Sequence, residues 1–249
     1  MDPDVRQNRA AWEAASQKYV REHQELLDLA REESSLTSDE LAILGPVLTS
    51  SPGVVHLQSG NGLDDLALLT AGARWVVGVD FSEVAATAAR RRAAELSAGC
   101  HYLIAELPGC PLRSACADLV YTGKGALIWL PDIAEWARDV ARLLRPGGHV
   151  FVYEGHPMVP LWTWDEDQAR IRPDRSYFGD THRNDSFPAR GAVEWQRTLG
   201  GIITAVISAG LQVLHVAEYS EPFWRPAGVD ADAWRGRLPN SFALLARRP

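Results

Sequence analysis

Between residues 54 and 82 the apolar positions change period twice. Val54-Val55-His56-Leu57 is a short, β-branched run, too short for a helix and suited to a buried strand. A polar turn follows, Gln58-Ser59-Gly60-Asn61-Gly62, and then Leu63, Leu66, Ala67 and Leu69 recur at helical spacing up to Ala71-Gly72. Residues 75–79 form a second apolar run that ends in a lone acid, Asp80. The alternation continues downstream. Helices are predicted over 82–98, with Ser82 as cap, over 129–144, stopped by Pro146-Gly147-Gly148, and over 193–209. Further strands are predicted over 102–104, 118–121, 149–153, 211–218 and 241–246. Strands alternating with helices in this way predict an α/β fold, doubly wound and Rossmann-like, with a mostly parallel seven-stranded sheet.

Ahead of this core, good helix formers over 8–30 predict one long helix, with Ala11, Ala15 and Tyr19 near one face beside Trp12 and Leu26. A second short helix over 37–48 starts at Thr37 or Ser38 and ends near Gly45-Pro46. Residues 158–190 show no period. So long an excursion in a small domain is usually functional, and it carries Trp162, Trp164, Tyr177, Phe178 and His182. These aromatics, with Trp195 just beyond them, are read as walls of a substrate cap; ordinary core packing is the competing account. The stretch Pro222-Phe223-Trp224-Arg225-Pro226 reads as another pocket loop.

At 249 residues the chain is long enough for one elaborated α/β domain and too short for two ordinary ones. A formal net charge of −7 argues against a phosphate-backbone partner, whose binding is driven by clustered Lys and Arg. The basic run Arg90-Arg91-Arg92 is assigned to a solvated helix face. Cys100, Cys110 and Cys116 fit no zinc spacing and are read as packing residues. No metal site is expected. With no apolar segment long enough to span a bilayer and no leader-like start, a cytoplasmic location and no membrane partner are expected.

The candidate chemistry lies at the strand ends. Gly60 and Gly62 lack Cβ, so the turn can be tight and approach a ligand closely. The helix after it starts with unpaired N–H groups. Asp80, about 20 residues on, can accept two hydrogen bonds from a ribose diol. The third glycine of a dinucleotide fingerprint is missing. The loop Thr122-Gly123-Lys124-Gly125 follows the fourth strand and borders the crevice. Lys124 meets a carboxylate of a cofactor or acidic substrate, or faces water. Past the fifth strand, Glu154 and His156 are titratable groups two residues apart; they deprotonate or orient a substrate, or simply pair with each other.

The segments HLQSGNGLDDL, GVDFS, DLVYTGKGALIWLPD, LLRPGG and YEGHP together resemble the class I S-adenosylmethionine (SAM)-dependent methyltransferases, in a bacterial small-molecule branch with an "HLQ" first motif. The resemblance runs over roughly residues 8–249. It departs from the common pattern at His56, where most members carry an acid, and at Gln58, in place of the first glycine. It implies that Gln58, Gly60, Gly62, Asp80, Phe81, Ser82, Glu106, Leu107, Thr122 and Gly123 hold SAM, leaving S-adenosylhomocysteine (SAH) as product. Glu106 takes the place of the acid that meets the adenine amino group, with a solvated loop acid as the alternative. The N-terminal helices become a lid, through which Trp12 and Tyr19 join Trp162, Trp164, Tyr177 and Trp195 as substrate contacts; core packing of Trp12 and Tyr19 is the alternative. One domain then divides into a lid (1–50), a cofactor core (51–157), a cap (158–192) and a final helix with two strands (193–249). The expected reaction is N-methylation of a small aromatic or alkaloid-like metabolite, resembling indole N-methyltransferases of bacterial alkaloid pathways, by a monomer or homodimer. O-methylation of a hydroxyl, a nicotinamide-dependent oxidoreductase and a non-catalytic nucleoside-binding protein are the alternatives.

Overall fold

The computed structural model describes residues 3–162, 170–184, 187, 191–221 and 237–249. Its strands run, in chain order, β1 (Gly53–Leu57), β2 (Trp75–Asp80), β3 (Cys100–Ile104), β4 (Ala117–Gly123), β5 (Leu144–Gly155), β6 (Thr181–Asn184), β7 (Ala192–Trp195), β8 (Gln212–Tyr219) and β9 (Ser241–Arg247). Seven of them form one sheet in the order β3-β2-β1-β4-β5-β9-β8, parallel up to β5, with β9 antiparallel to both its neighbours. The order reverses direction between β1 and β4, the switch point at which open α/β sheets hold their ligands.

The helices are α1 (Pro3–Arg21), α2 (His23–Glu32), α3 (Ser38–Leu48), α4 (Leu63–Thr70), α5 (Glu83–Glu95), α6 (Ile133–Leu143) and α7 (Leu199–Ser208). Strand alternation sends Val55, Leu57, Val120, Val150 and Val152 into one layer with Trp136 and Val140 of α6 and Val206 of α7. Val54, Leu119, Tyr121 and Phe151 point the other way, against Leu44 and Leu48 of α3 and Leu66 and Leu68 of α4. These side chains are buried on both faces of the sheet. At about 1.5–3 kcal/mol for each fully buried Leu, Val or Phe, they hold the strand ends in fixed register beneath the site.

Three expectations change. The single helix over 8–30 is two helices with a turn at Glu22 (φ −88°, ψ 21°). Hydrogen bonds from Glu22 N–H to the Lys18 carbonyl and from Leu26 N–H to the Glu22 carbonyl continue across the break, so the apolar period does not betray it. The helix over 193–209 begins only at Leu199, where the Thr198 side chain accepts from the Gly201 N–H. Residues 192–195 are instead strand β7, all four buried and paired with β6 from Asn184↔Ala192 to Thr181↔Trp195. Trp195 therefore sits on a strand, and the excursion beyond residue 158 contains a hairpin. Lastly, Arg92 is not on a solvated face: it is fully buried. Among the described residues no helix is long and apolar enough to cross a membrane.

Candidate active site

At the carboxyl end of β1 the chain enters left-handed backbone at Gln58 (φ 60°), Gly60 (φ 53°) and Gly62 (φ 78°). A Cβ at Gly62 would lie 2.5 Å from the Tyr102 hydroxyl and 2.8 Å from Ala89 Cβ, so glycine is required there. The turn is tied to the end of β2 through Asp80. One oxygen of this carboxylate accepts from the Gly60 N–H (2.9 Å) and the other from the Ser82 N–H (2.8 Å). Ser82 caps α5 by accepting from the Ala85 N–H (3.1 Å), and Phe81 lies between these two residues, half-buried. Asp80 is 7% exposed, and burial raises its carboxyl above the usual range against the pull of the two N–H donors.

His56 does not face this turn. Its Nδ1 lies 2.6 Å from Asp65 of α4, and its ring stands edge-on to Tyr121, so it braces β1 against the helix after the turn. Lys124 likewise meets protein rather than water. Its ammonium donates to Asp64 (2.6 Å) and to the Ser35 carbonyl (2.6 Å) and lies 3.3 Å from Glu40. Burial lowers its pKa, but the Asp64 and Glu40 charges outweigh burial and leave it raised. Lys124 thereby clamps the loop after β4 to the start of α4.

Glu154 organises the same loop from the other side. Its two oxygens accept three consecutive main-chain donors: Gly125 N–H (2.7 Å) on one, Ala126 N–H (2.7 Å) and Leu127 N–H (2.9 Å) on the other. Gln58 Nε2 donates to the Ala126 carbonyl (2.7 Å), joining the glycine turn to this loop. Burial pushes the Glu154 carboxyl up to about 7, although the three donors favour its charged form. It does not pair with His156. The His156 ring accepts the Met158 N–H at Nδ1 (3.2 Å) and places Nε2 2.9 Å from Glu218 on β8. A Cβ at Gly123 would lie 2.6 Å from the Tyr153 carbonyl, so β4 and β5 also meet too closely here for any side chain.

Helix α1 lies across these strand ends. Asn8 exchanges two hydrogen bonds with the main chain of Val193 on β7 (2.7 and 2.8 Å). Arg9 reaches within 3.9 Å of Glu106, beside the partly buried Leu107. The Trp12 ring contacts Trp129 (centroids 5.5 Å) and Phe187 (5.1 Å), and Trp129 contacts Phe187 (5.1 Å), joining α1, the loop after β4 and the β6–β7 hairpin. Tyr19 sits near Asp80: burial and that charge push its hydroxyl up to about 12. The structure thus brings Trp12 and Tyr19 to the crevice. Trp195 is buried on β7, and Trp162 bridges to Ile171. Tyr177 instead accepts the Leu199 N–H (3.0 Å) at the start of α7. Trp164 and the 222–226 loop lie outside the described residues. Trp129 and Phe187 carry no spacing signal that marks them, although Trp129 stands close behind the glycine loop.

The residues present fit SAM. Among the described residues, Gln58 Oε1 and Thr122 Oγ1 are buried acceptors without a partner. Such groups cost about 1–3 kcal/mol when left unpaired, and the ammonium and hydroxyl donors of SAM match them. The space around Gly60 is open where a Cβ would stand, and Asp80 offers its remaining lone pairs to a diol.

Comparison with known proteins agrees. Residues 54–148 match the model of a methyltransferase domain. Among solved structures, the chain resembles an S-adenosylmethionine-dependent methyltransferase from Mesorhizobium loti (27% identity, 82% of this chain and 96% of that one, TM-score 0.66). It shares its fold with a Listeria monocytogenes protein considered for the same class (20%, 83% and 99%, 0.64). It also shares it with geranyl diphosphate C-methyltransferase from Streptomyces coelicolor, solved with SAH (14%, 85% and 80%, 0.58). No curated protein matches in sequence.

Proposed function

We propose that this chain, a SAM-dependent methyltransferase by its domain and fold, methylates a nitrogen of a small aromatic or alkaloid-like molecule. The observation that carries the choice of nitrogen is that neither titratable group at the end of β5, Glu154 or His156, is a free proton acceptor. Both Glu154 oxygens serve main-chain donors, and His156 is held between the Met158 N–H and Glu218. A hydroxyl must lose its proton to react and needs such a base. A neutral amine attacks with its lone pair, and the methylated ammonium loses its proton to solvent only after the product leaves the site.

In this reading SAM, when bound, supplies an electrophilic methyl on a sulfonium. Asp80 holds the ribose, and Phe81 and Ser82 complete that end. Glu106 and Leu107 hold the adenine. Gln58, Gly60, Gly62, Thr122 and Gly123 line the amino-acid end. The chain's part in the reaction is alignment and exclusion of water rather than proton transfer. Glu154 is a positioning residue that shapes residues 125–127 and, beyond them, Trp129. The substrate would lie against Trp12, Trp129 and Phe187, with Trp195 and Trp162 nearby. The buried Trp12 Nε1 has no acceptor among the described residues and would donate to one on the substrate. Flat aromatic walls in a chain of net charge −7 suit a neutral or cationic small molecule. O-methylation is the second reading, favoured only by the Glu154 pKa near neutrality; it would require Glu154 to release its N–H donors.

The test is turnover on matched pairs of aryl-alkyl amines and the phenols of the same skeleton, read by mass spectrometry of products. The amines are expected to gain one methyl and the phenols none. Methylation of the phenols in preference to the amines would overturn the nitrogen assignment.

A further inference from the structure

Helix α1 is joined to the ribose end of the crevice by two residues that no motif marks. Glu13 accepts from the Ser82 hydroxyl (2.9 Å) and the Val84 N–H (3.1 Å) on one oxygen and from the Glu83 N–H (2.9 Å) on the other. Those N–H groups are free donors of the first turn of α5, so a side chain from another helix completes the cap that Ser82 begins. Ser82 is also the residue whose N–H holds Asp80. Six residues after Glu13, the Tyr19 carbonyl accepts from Arg92 Nη1 (3.2 Å), while Arg92 Nη2 donates to the Asn61 carbonyl within the glycine turn. Arg92 is fully buried, and both these acceptors are neutral carbonyls. Taking a guanidinium out of water for such partners is costly; what it achieves here is to join α5, α1 and the glycine turn at one point.

We propose that Glu13 and Arg92 are positioning residues for the cofactor: they fasten α1 over the ribose end, so that SAM and SAH enter and leave only when this fastening opens. Glu13 acts through Ser82 on Asp80, and Arg92 acts through Asn61 on the glycine turn. The proposal rests on the cofactor assignment and is independent of the nitrogen acceptor.

The test measures SAH dissociation by stopped-flow, and SAH-dependent hydrogen exchange of the amides over residues 9–20, in the wild type, Glu13→Gln, Glu13→Ala, Arg92→Lys and Arg92→Ala. Loss of one or two net hydrogen bonds should speed SAH release by about fivefold or more in Glu13→Ala. SAH should protect the α1 amides in the wild type and much less in that variant. Arg92→Lys, which keeps a donor, should lie between the wild type and Arg92→Ala. A purely structural role would lower the melting temperature without ligand and leave the release rate unchanged. Unchanged release from a folded Glu13→Ala protein, with α1 still protected by SAH, would overturn the proposal. The Glu13 variants decide the matter even if an Arg92 variant fails to fold. A wild type that binds no SAH would overturn the cofactor assignment, and the proposal with it.

Discussion

Replacing Asp80 by Ala is expected to weaken SAM binding tenfold or more. The carboxylate stands at the end of β2 and is almost fully buried, and it is the acceptor proposed to meet a ribose diol. Hydrogen bonds to a charged group contribute about 1.5–3 kcal/mol, which corresponds to roughly ten- to hundredfold in affinity. The substitution has a second effect. The Gly60 and Ser82 N–H groups both lose their acceptor, so the turn and the α5 cap relax together. Calorimetric titration with SAM, alongside a melting curve that confirms the fold, measures the loss. Affinity equal to wild type would remove Asp80 from the cofactor site.

Glu154→Gln is expected to destabilise the protein by about 1–3 kcal/mol, because a glutamine cannot serve both sets of donors. Its single oxygen replaces one carboxylate oxygen, and its NH2 faces either the Gly125 N–H or the Ala126 and Leu127 pair. The pH dependence provides a sharper signature. The folded carboxyl titrates at about 7 and the unfolded one near 4.5. Between those values the folded chain holds a proton that the unfolded chain has released. Stability from this group is therefore greatest below about 4.5 and declines as pH rises towards 7. Urea denaturation across this window should show that slope in the wild type and its loss in Glu154→Gln. Equal slopes in both proteins would mean that Glu154 ionises in the folded state as it does in water, and would return it to consideration as an ordinary base.

Much of the fold is legible in the sequence because the central strands of the sheet are buried on both faces. Trp75–Val79 and Val150–Tyr153 are apolar runs closed by an acid, Asp80 and Glu154, and Val54–Leu57 is interrupted only by His56. Asp80 is legible for the same reason, as a lone acid at the end of an apolar strand. What could not be read is where polar side chains end up once helices pack. Arg92 looks like its neighbours Arg90 and Arg91, and only the docking of α1 decides that it is buried. Lys124 could equally face water or a ligand until Asp64 and Glu40 arrive from other elements. Trp195 shows how local pattern misleads. It precedes a helix-forming stretch, and its strand state depends on β6, whose four residues carry little β signal of their own. The Glu154–His156 pair is suggestive by spacing alone, yet three main-chain donors claim the first and Glu218 the second.

The most direct test of the account is calorimetric titration of the intact protein with SAH, with NAD as the comparison ligand. The account predicts one-to-one binding of SAH, lost in large part in Asp80→Ala, and no heat with NAD. A folded protein that binds NAD and gives no heat with SAH would contradict it.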